Sequence, residues 1–524
     1  SQLTNSIGLQ EFRPIATETY NRLRKFDVKN KIDLADVFGI FKIADILSAS
    51  NKSLRLNPPE VTEEKVKAII VGVIDEEVWK QQLQLQKLGD IGLLRAPTGW
   101  GKTTASLLYF HKKPVKKIFF LLPTITAINK FYDKLRCSLS DVTKYFYLYD
   151  AELSEENDEL REMFFSENFL SPYVITTVDQ FLLAFLQYGR YHTKRIMFRD
   201  AGLVFDEVHL LNPVMLGLTK FFLEKYTRHY NLNTLFMSAT LPNALSQFLI
   251  NGLNISNQSF LDFAATYYQQ RRVRIAYNSY AIENDAHLII ERFRAGKKIL
   301  VMLNTVDRAI AMARILRESL AQKDVVLIHA RSMYRDRSQK EKEIDNKKDS
   351  AHILVSTQVA EVSLDISYNE LYTELSPIAS LVQRLGRVNR KGEHDGMKVT
   401  TVNVHVYEPP PVCYINRPYE PNELNIARKI VQEVEGDQLK SEGQLLDLFN
   451  SQYSFDQLSN DVENAMKKFD LEAFDEIFGF FSLETYQDRL MNVLNYRDSF
   501  NTMIIPHPDC ILSLIHISEP TRPY

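Results

Sequence analysis

The chain has few cysteines, no long apolar stretch and almost no net charge, and each scarcity excludes something. Three cysteines in 524 residues, Cys137, Cys413 and Cys510, lie far apart and form no C-x-x-C pair. Neither a disulfide framework nor a thiolate zinc site is expected, and a reducing cytoplasm is the natural compartment. No run of about 18 uninterrupted apolar residues occurs, so no membrane-spanning helix is expected, and there is no basic-then-apolar leader. A net charge of −3 provides no global basic field, which leaves only a local groove for any polyanion. Residues 1–90 contain no histidine, so that stretch has no histidine-based metal centre to offer.

What is present is an ordinary globular composition, 45% apolar and 25% charged. The length exceeds what one core supports and predicts roughly three domains of about 150 residues. Short, near-continuous apolar runs recur between helix-length amphipathic segments: IGLLRA (91–96), IFFLLP (118–123), YVITT (173–177), GLVFDE (202–207) and TLFMSAT (234–240). A second series follows: KILVMLN (298–304), VVLIHA (325–330), HILVSTQ (352–358), LYTELS (371–376) and VNVHVYE (402–408). Strands buried on both faces read this way, as in parallel sheets covered by helices. The expected fold is therefore α/β, with two tandem parallel-sheet domains at residues 80–265 and 286–410 joined by a polar linker at 266–285. A helical lead-in (1–79) precedes them and a helical appendage (411–512) follows. The chain starts at Ser1, and residues 513–524, SLIHISEPTRPY, read as a non-native tail.

The chemistry starts in LLRAPTGWGKTTAS (93–106), close to the phosphate-binding loop G-x-x-x-x-G-K-[ST]. Gly99 and Gly101 allow close backbone approach to phosphates, with Ala96, Pro97, Thr98, Trp100 and Thr104 completing the loop. Lys102 would reach the β- and γ-phosphates of ATP, and the Thr103 hydroxyl would ligate Mg²⁺. Nothing in the sequence says what the Trp100 ring contacts. In GLVFDEVHLL (202–211), Asp206 and Glu207 end an apolar strand, at the edge where open α/β sheets bind ligands. Asp206 there is the expected Mg²⁺ ligand and Glu207 the residue that orients and deprotonates the attacking water. In QRLGRVNR (383–390), Gln383, Arg387 and Arg390 recur at about one helical turn, suited to stabilise charge on a γ-phosphate held by the other domain.

In this order, phosphate loop, DEVH acid box, SAT and arginine motif, the chain resembles a superfamily 2 helicase over about residues 80–410, the two domains then being RecA-like. That family's loop commonly begins with alanine, so Ala96 is its own variant. The wording of APTGWGKT, DEVHLLNP, SATLP, VSTQVAEVSLDI and ELSPIASLVQRLGRVNRKG resembles more narrowly the helicase part of the type I CRISPR-associated helicase-nuclease. The resemblance implies an ATP-dependent helicase that moves 3′ to 5′ on single-stranded DNA and unwinds duplex DNA. It further implies recruitment by a guide-RNA surveillance complex, and an HD nuclease either in one chain or as a separate protein. It implies nucleic-acid backbone contacts from Thr124, Thr177, Asn304, Thr305 and Thr357 and coupling roles for His209, Ser238, Thr240 and Asp365; Gln82 sits at a distance ahead of the loop that suits reading the adenine edge.

The sequence departs from the family at its start. FKIADILSAS (41–50) resembles the closing helix of such a nuclease, with Asp45 at the last metal-ligand position, but the earlier histidines are missing. Residues 1–79 are then the remnant of a nuclease domain or a plain helical lead-in, and no intact nuclease site is expected. Two other readings stay open: a DEAD/DEAH-type motor acting on RNA, and a scaffold that binds nucleotide without hydrolysing it.

Overall fold

A computed structural model describes residues 27–49, 58–70, 75–97, 99–146, 164–187, 191–263, 265, 271–329, 331, 334–347, 349–363, 367–389, 401–410, 418–436, 440–452 and 454–467. The first series of apolar runs forms β1 (Ile91–Arg95), β2 (Lys117–Leu121), β4 (Tyr173–Thr176), β5 (Ala201–Asp206) and β6 (Asn233–Ser238). Two strands outside that series, β3 (Val142–Tyr145) and β7 (Phe260–Asp262), complete a seven-stranded parallel sheet in the order β3-β4-β2-β5-β6-β1-β7. Alternate residues face opposite sides, as the pleat demands. Phe119, Leu121, Leu203 and Phe205 enter one core, while Ile118, Phe120 and Val204 enter the other. Each fully buried side chain of this size contributes roughly 2 kcal/mol.

The second sheet is also parallel and has six strands in the order β11-β12-β10-β13-β14-β9. Its members are β9 (Ile275–Asn278), β10 (Ile299–Met302), β11 (Val325–Ile328), β12 (Ile353–Ser356), β13 (Glu370–Glu374) and β14 (Val404–Tyr407). The two sheets and their covering helices give the tandem RecA-like α/β fold.

Three of the expected boundaries differ from the structure. The polar segment read as a linker contains β8 (Arg271–Val273) and β9, and β9 pairs with β14 through Ile275–Val404 to Asn278–Tyr407. An edge strand needs apolar contact on fewer sides than a central one, so the short IAYN run of β9, next to the arginines of β8, hid it. The region past 410 is not merely appended. Helix Pro421–Val434 buries Leu424, Ala427, Ile430, Val431 and Val434 in the second domain's core, and β15 (Lys440–Ser441) pairs antiparallel with β8. Helix Phe455–Met466 returns to the first domain, where Leu458 and Val462 join its core.

The lead-in is likewise built in. Helix Val28–Ala49 places Ile32, Ile43 and Leu47 in the first domain's core. Its Asp36, 2% exposed, accepts from Arg195 Nη2 at 3.2 Å, Arg199 Nε at 2.9 Å and the Tyr230 hydroxyl at 2.7 Å. A buried carboxylate tolerates burial only with such partners. Asp45 lies on the exposed side of the same helix. No described helix is long and apolar enough to cross a membrane.

Candidate nucleotide site between the two domains

Strand order gathers the site. β6 lies between β5 and β1, and the registers Arg95–Ser238 and Asp206–Met237 bring the three strand ends level at the carboxyl edge. The phosphate loop leaves β1, the acid box leaves β5 and the SAT segment leaves β6. Segments more than a hundred residues apart in sequence thereby become neighbours.

The loop turns through Gly99 and Gly101, both at φ 85°, a left-handed conformation that favours glycine. Gly101 opens a helical run, Lys102–Ala105 continuing through Ser106–Phe110, and Ala105 N–H donates to Gly101 O at 2.9 Å. Ala96 N–H donates to Ser238 O at 3.4 Å, so the loop starts flush with β6. Lys102 is 8% exposed and its Nζ lies 3.3 Å from Pro97 O. Thr98 lies outside the described residues.

Trp100 has an account in the structure. Its ring is 5% exposed and stacks on Phe263 with centroids 5.4 Å apart. Its Nε1–H donates to Gln81 Oε1 at 2.9 Å, and its carbonyl accepts from Gln82 Nε2 at 2.7 Å. Gln82, expected from its distance ahead of the loop to read adenine, is here turned to the loop backbone. Gln81 and Phe263 escaped the sequence reading because nothing local marks a glutamine or a phenylalanine as a loop support.

The Thr103 hydroxyl donates to Asp206 Oδ2 at 2.8 Å, which brings together the two residues expected to hold Mg²⁺. Burial first, and the adjacent Glu207 charge second, push the Asp206 carboxyl up to about 7, against the pull of Lys102 and Thr103. Glu207 goes the other way. Burial opposes its charge, but Lys102, His209 and the Ser238 hydroxyl, 3.2 Å from Oε2, hold it below the usual carboxylate range. Burial and the surrounding charges thus leave the two neighbouring acids in different protonation states. Glu207 adopts φ 50°, a left-handed conformation that costs a non-glycine residue energy and turns the carboxylate toward Ser238.

Ser238 connects outward. Its Oγ lies 2.7 Å from His209 Nδ1 and accepts from Thr240 N–H at 3.0 Å. Burial pushes His209 down, so its imidazole is neutral at pH 7 despite Glu207 3.4 Å away. From the second domain, Gln383 Nε2 reaches Thr240 Oγ1 at 3.4 Å and His209 Nε2 at 3.5 Å. The residues named for coupling thus touch across the domain boundary, with Asp365 outside the described residues.

The arginines divide. Arg387 is buried and donates from Nε, at 3.1 Å, and from Nη2 to the Glu361 carbonyl within its own domain. Arg390 lies outside the described residues. Arg384, which the one-face spacing passed over, is fully buried. It pairs with Glu361 at 2.8 Å and donates to Thr373 Oγ1, Glu374 O, Asn304 Oδ1 and the Tyr419 hydroxyl. The available signal was one acid, Glu361, inside an otherwise apolar segment that requires a cation; the Glu374 carboxylate takes its cation from Arg308 instead.

The nucleic-acid candidates also divide. Thr124 and Thr305 cap helices Ile125–Arg136 and Val306–Ser319, accepting from Ala127 N–H at 3.2 Å and Arg308 N–H at 3.4 Å. Thr177 precedes helix Val178–Phe185. Thr357 is buried, and the Asn304 side chain is engaged inside, donating to Leu375 O while accepting from Arg384. The structure therefore does not offer Asn304 to a ligand from its side chain.

Residues 73–248 match the DEAD/DEAH box helicase family, which places the chain among the superfamily 2 helicases. Within that class the chain is Cas3-like, since residues 295–393 match the C-terminal domain of the CRISPR-associated nuclease/helicase Cas3. A putative CRISPR-associated nuclease/helicase Cas3 of Methanocaldococcus jannaschii is 30% identical over 353 residues, covering 61% of this chain and 47% of that protein. The chain thus spans about half the length of the curated relatives it matches. In fold, T. fusca Cas3 with AMPPNP aligns over 87% of this chain and 57% of that one, with a TM-score of 0.60 and 19% identity. A CRISPR RNA-guided surveillance complex in a pre-nicking state aligns over 80% and 52%, with a TM-score of 0.51 and 19% identity.

Proposed function

We propose that the chain is the motor of an ATP-dependent DNA helicase that acts in type I CRISPR interference, translocating 3′ to 5′. The observation that carries this reading is the continuous set of contacts from Thr103 through Asp206, Glu207, Ser238 and His209 to Gln383 of the second domain. Such a line lets the nucleotide state be felt across the boundary, which a scaffold that merely binds nucleotide does not need.

The donors fit ATP and Mg²⁺. A buried lysine, a glycine-opened helical start and a buried carboxyl raised to about 7 form a site short of a cation. Mg²⁺ would supply positive charge to offset the phosphates, and beside it Asp206 would be ionised. Lys102 would hold the phosphates, Thr103 and Asp206 would hold the metal, and Glu207, ionised and oriented by Ser238, would take the proton of the attacking water. Gln383, Arg387 and Arg390 complete the site when Arg387 leaves the Glu361 carbonyl. Helix starts after Thr124, Thr177 and Thr305, at the ends of β2 and β4 and just past β10, suit backbone phosphates, so binding is sequence-independent. The same reading gives a cytoplasmic protein recruited by a guide-RNA surveillance complex, with nuclease chemistry supplied by an HD nuclease, as a further domain or a separate protein.

The test compares phosphate release with single-stranded DNA and with RNA of equal length, then unwinding of 3′-tailed and 5′-tailed duplexes. DNA-stimulated turnover and unwinding only from a 3′ tail are expected. Stronger stimulation by RNA overturns the substrate, and unwinding from the 5′ tail overturns the direction.

A further inference from the structure

Helix Ile125–Arg136 carries three polar contacts on one stripe. Thr126, Lys130 and Lys134 follow one another at intervals of four residues and so lie one above the other. Two of them reach the second domain. Thr126 Oγ1 donates to Glu341 Oε1 at 2.6 Å, and Lys130 Nζ lies 3.4 Å from Asp345 Oδ1. Glu341 and Asp345 are themselves four residues apart on helix Tyr334–Asn346. The third contact points back into the nucleotide site, for Lys134 Nζ donates to Thr104 Oγ1 at 2.8 Å. Thr104 is 4% exposed and immediately follows Thr103, the partner of Asp206.

We infer that Lys134 is a positioning residue that ties the phosphate loop to a rigid helix whose other end is gripped by the second domain. The inference rests on the motor reading above. Helix Ile125–Arg136 is anchored beneath by Ile128, Phe131 and Leu135, so it moves as a body rather than bending. From Thr126 to Lys134 it spans about 12 Å, the distance over which a shift of the second domain is carried to Thr104. Lys130 and Asp345 are each about a third exposed. Partly exposed pairs are worth little, which suits a contact made and released in every cycle. The route is separate from the line through Ser238, His209 and Gln383, and it starts at the helix whose cap, Thr124, is a candidate DNA contact. It gives DNA a path to the loop that does not pass through the acid box.

The experiment measures basal ATP turnover, nucleotide affinity and the fold stimulation by single-stranded DNA for the whole chain and for Lys134→Met, Lys134→Arg and Glu341→Ala. Lys134→Met keeps the apolar stem and loses the donor. Loss of one such hydrogen bond between coupled sites is expected to cut stimulation about fivefold, with basal turnover within twofold of the unmodified chain. Lys134→Arg, which keeps a donor, retains most of the stimulation. Glu341→Ala lowers stimulation too, and combined with Lys134→Met it adds nothing further, because both cut one path. Unchanged stimulation in Lys134→Met overturns the inference. So does a basal rate that falls in step with the stimulated one, which marks a purely structural role, or a double variant whose losses multiply. No DNA-stimulated turnover by the unmodified chain overturns the motor reading itself, and this inference with it.

Discussion

Replacing Asp206 with asparagine is expected to abolish turnover and yet make the ligand-free protein more stable at alkaline pH. Burial and the Glu207 charge move the Asp206 carboxyl from 3.8 to about 7. The fold therefore disfavours the ionised form. The contribution of this group to stability is intact below the unfolded value, declines as pH rises through the interval, and is lost above about 7. At pH 8 the cost is about 4 kcal/mol. Asparagine keeps the shape and one acceptor but loses one of the two hydrogen bonds, from Thr103 or from the Glu207 N–H, worth about 1 kcal/mol. The net gain is about 3 kcal/mol at pH 8, or roughly 6 °C or more in melting temperature for the first domain. At pH 4 both side chains are largely uncharged and the gain disappears. His329, His352 and His405, all pushed down by burial, titrate in both proteins and cancel in the difference. The assay is thermal unfolding of both proteins at pH 4, 6 and 8 without nucleotide. A variant no more stable at pH 8 than at pH 4, relative to the unmodified chain, refutes the electrostatic reasoning. Mg²⁺ with a non-hydrolysable nucleotide is expected to raise the melting temperature of the unmodified chain more than that of the variant.

Other substitutions test other parts of the structure. Glu207→Gln is expected to lower ATP turnover on the order of 10²-fold or more while nucleotide binding persists; turnover within a few-fold of the unmodified chain in a phosphate-release assay removes Glu207 from the chemistry. Arg384→Met leaves Glu361 buried without its cation, and chemical denaturation should read a loss of about 3–5 kcal/mol in the second domain. Trp100→Ser removes the stack on Phe263 and the bond to Gln81, with an expected loss of about 3 kcal/mol and weaker ATP binding. Trp100→Phe keeps the stack and should lose about 1 kcal/mol; equal effects of the two, measured by thermal shift, show that the ring does not support the loop.

Residues expressed in short spans were legible in the sequence. Apolar five-residue runs announced the central strands, because a strand buried on both faces has no polar side to show. Gly99-Trp100-Gly101-Lys102-Thr103 announced the phosphate loop, and Asp206-Glu207 the acid box, because each is a local arrangement of backbone and side chain. The acid box, SAT and the arginine motif could be listed in order, and the resemblance they carry named the class. Edge strand β9 was missed, and helix Val28–Ala49 was legible as a helix but its packing was not, since the burial of both depends on a neighbour more than a hundred residues away.

By itself the sequence determined the parts: two parallel sheets, a loop for phosphate, an acid pair and a motif of arginines. Only the tertiary structure decided their arrangement. It placed β6 between β1 and β5, so that Ser238 orients Glu207 and stands behind His209. It gave Trp100 a floor in Phe263 and Gln81, turned Gln82 to the loop, set Arg384 rather than Arg387 at the centre of a buried network, and aligned Thr126, Lys130 and Lys134 between Thr104 and the second domain. The physical reason is that chemistry-bearing residue types are fixed by what they touch within a few bonds. Charge states, ring contacts and lines of force are fixed by which distant strands lie side by side.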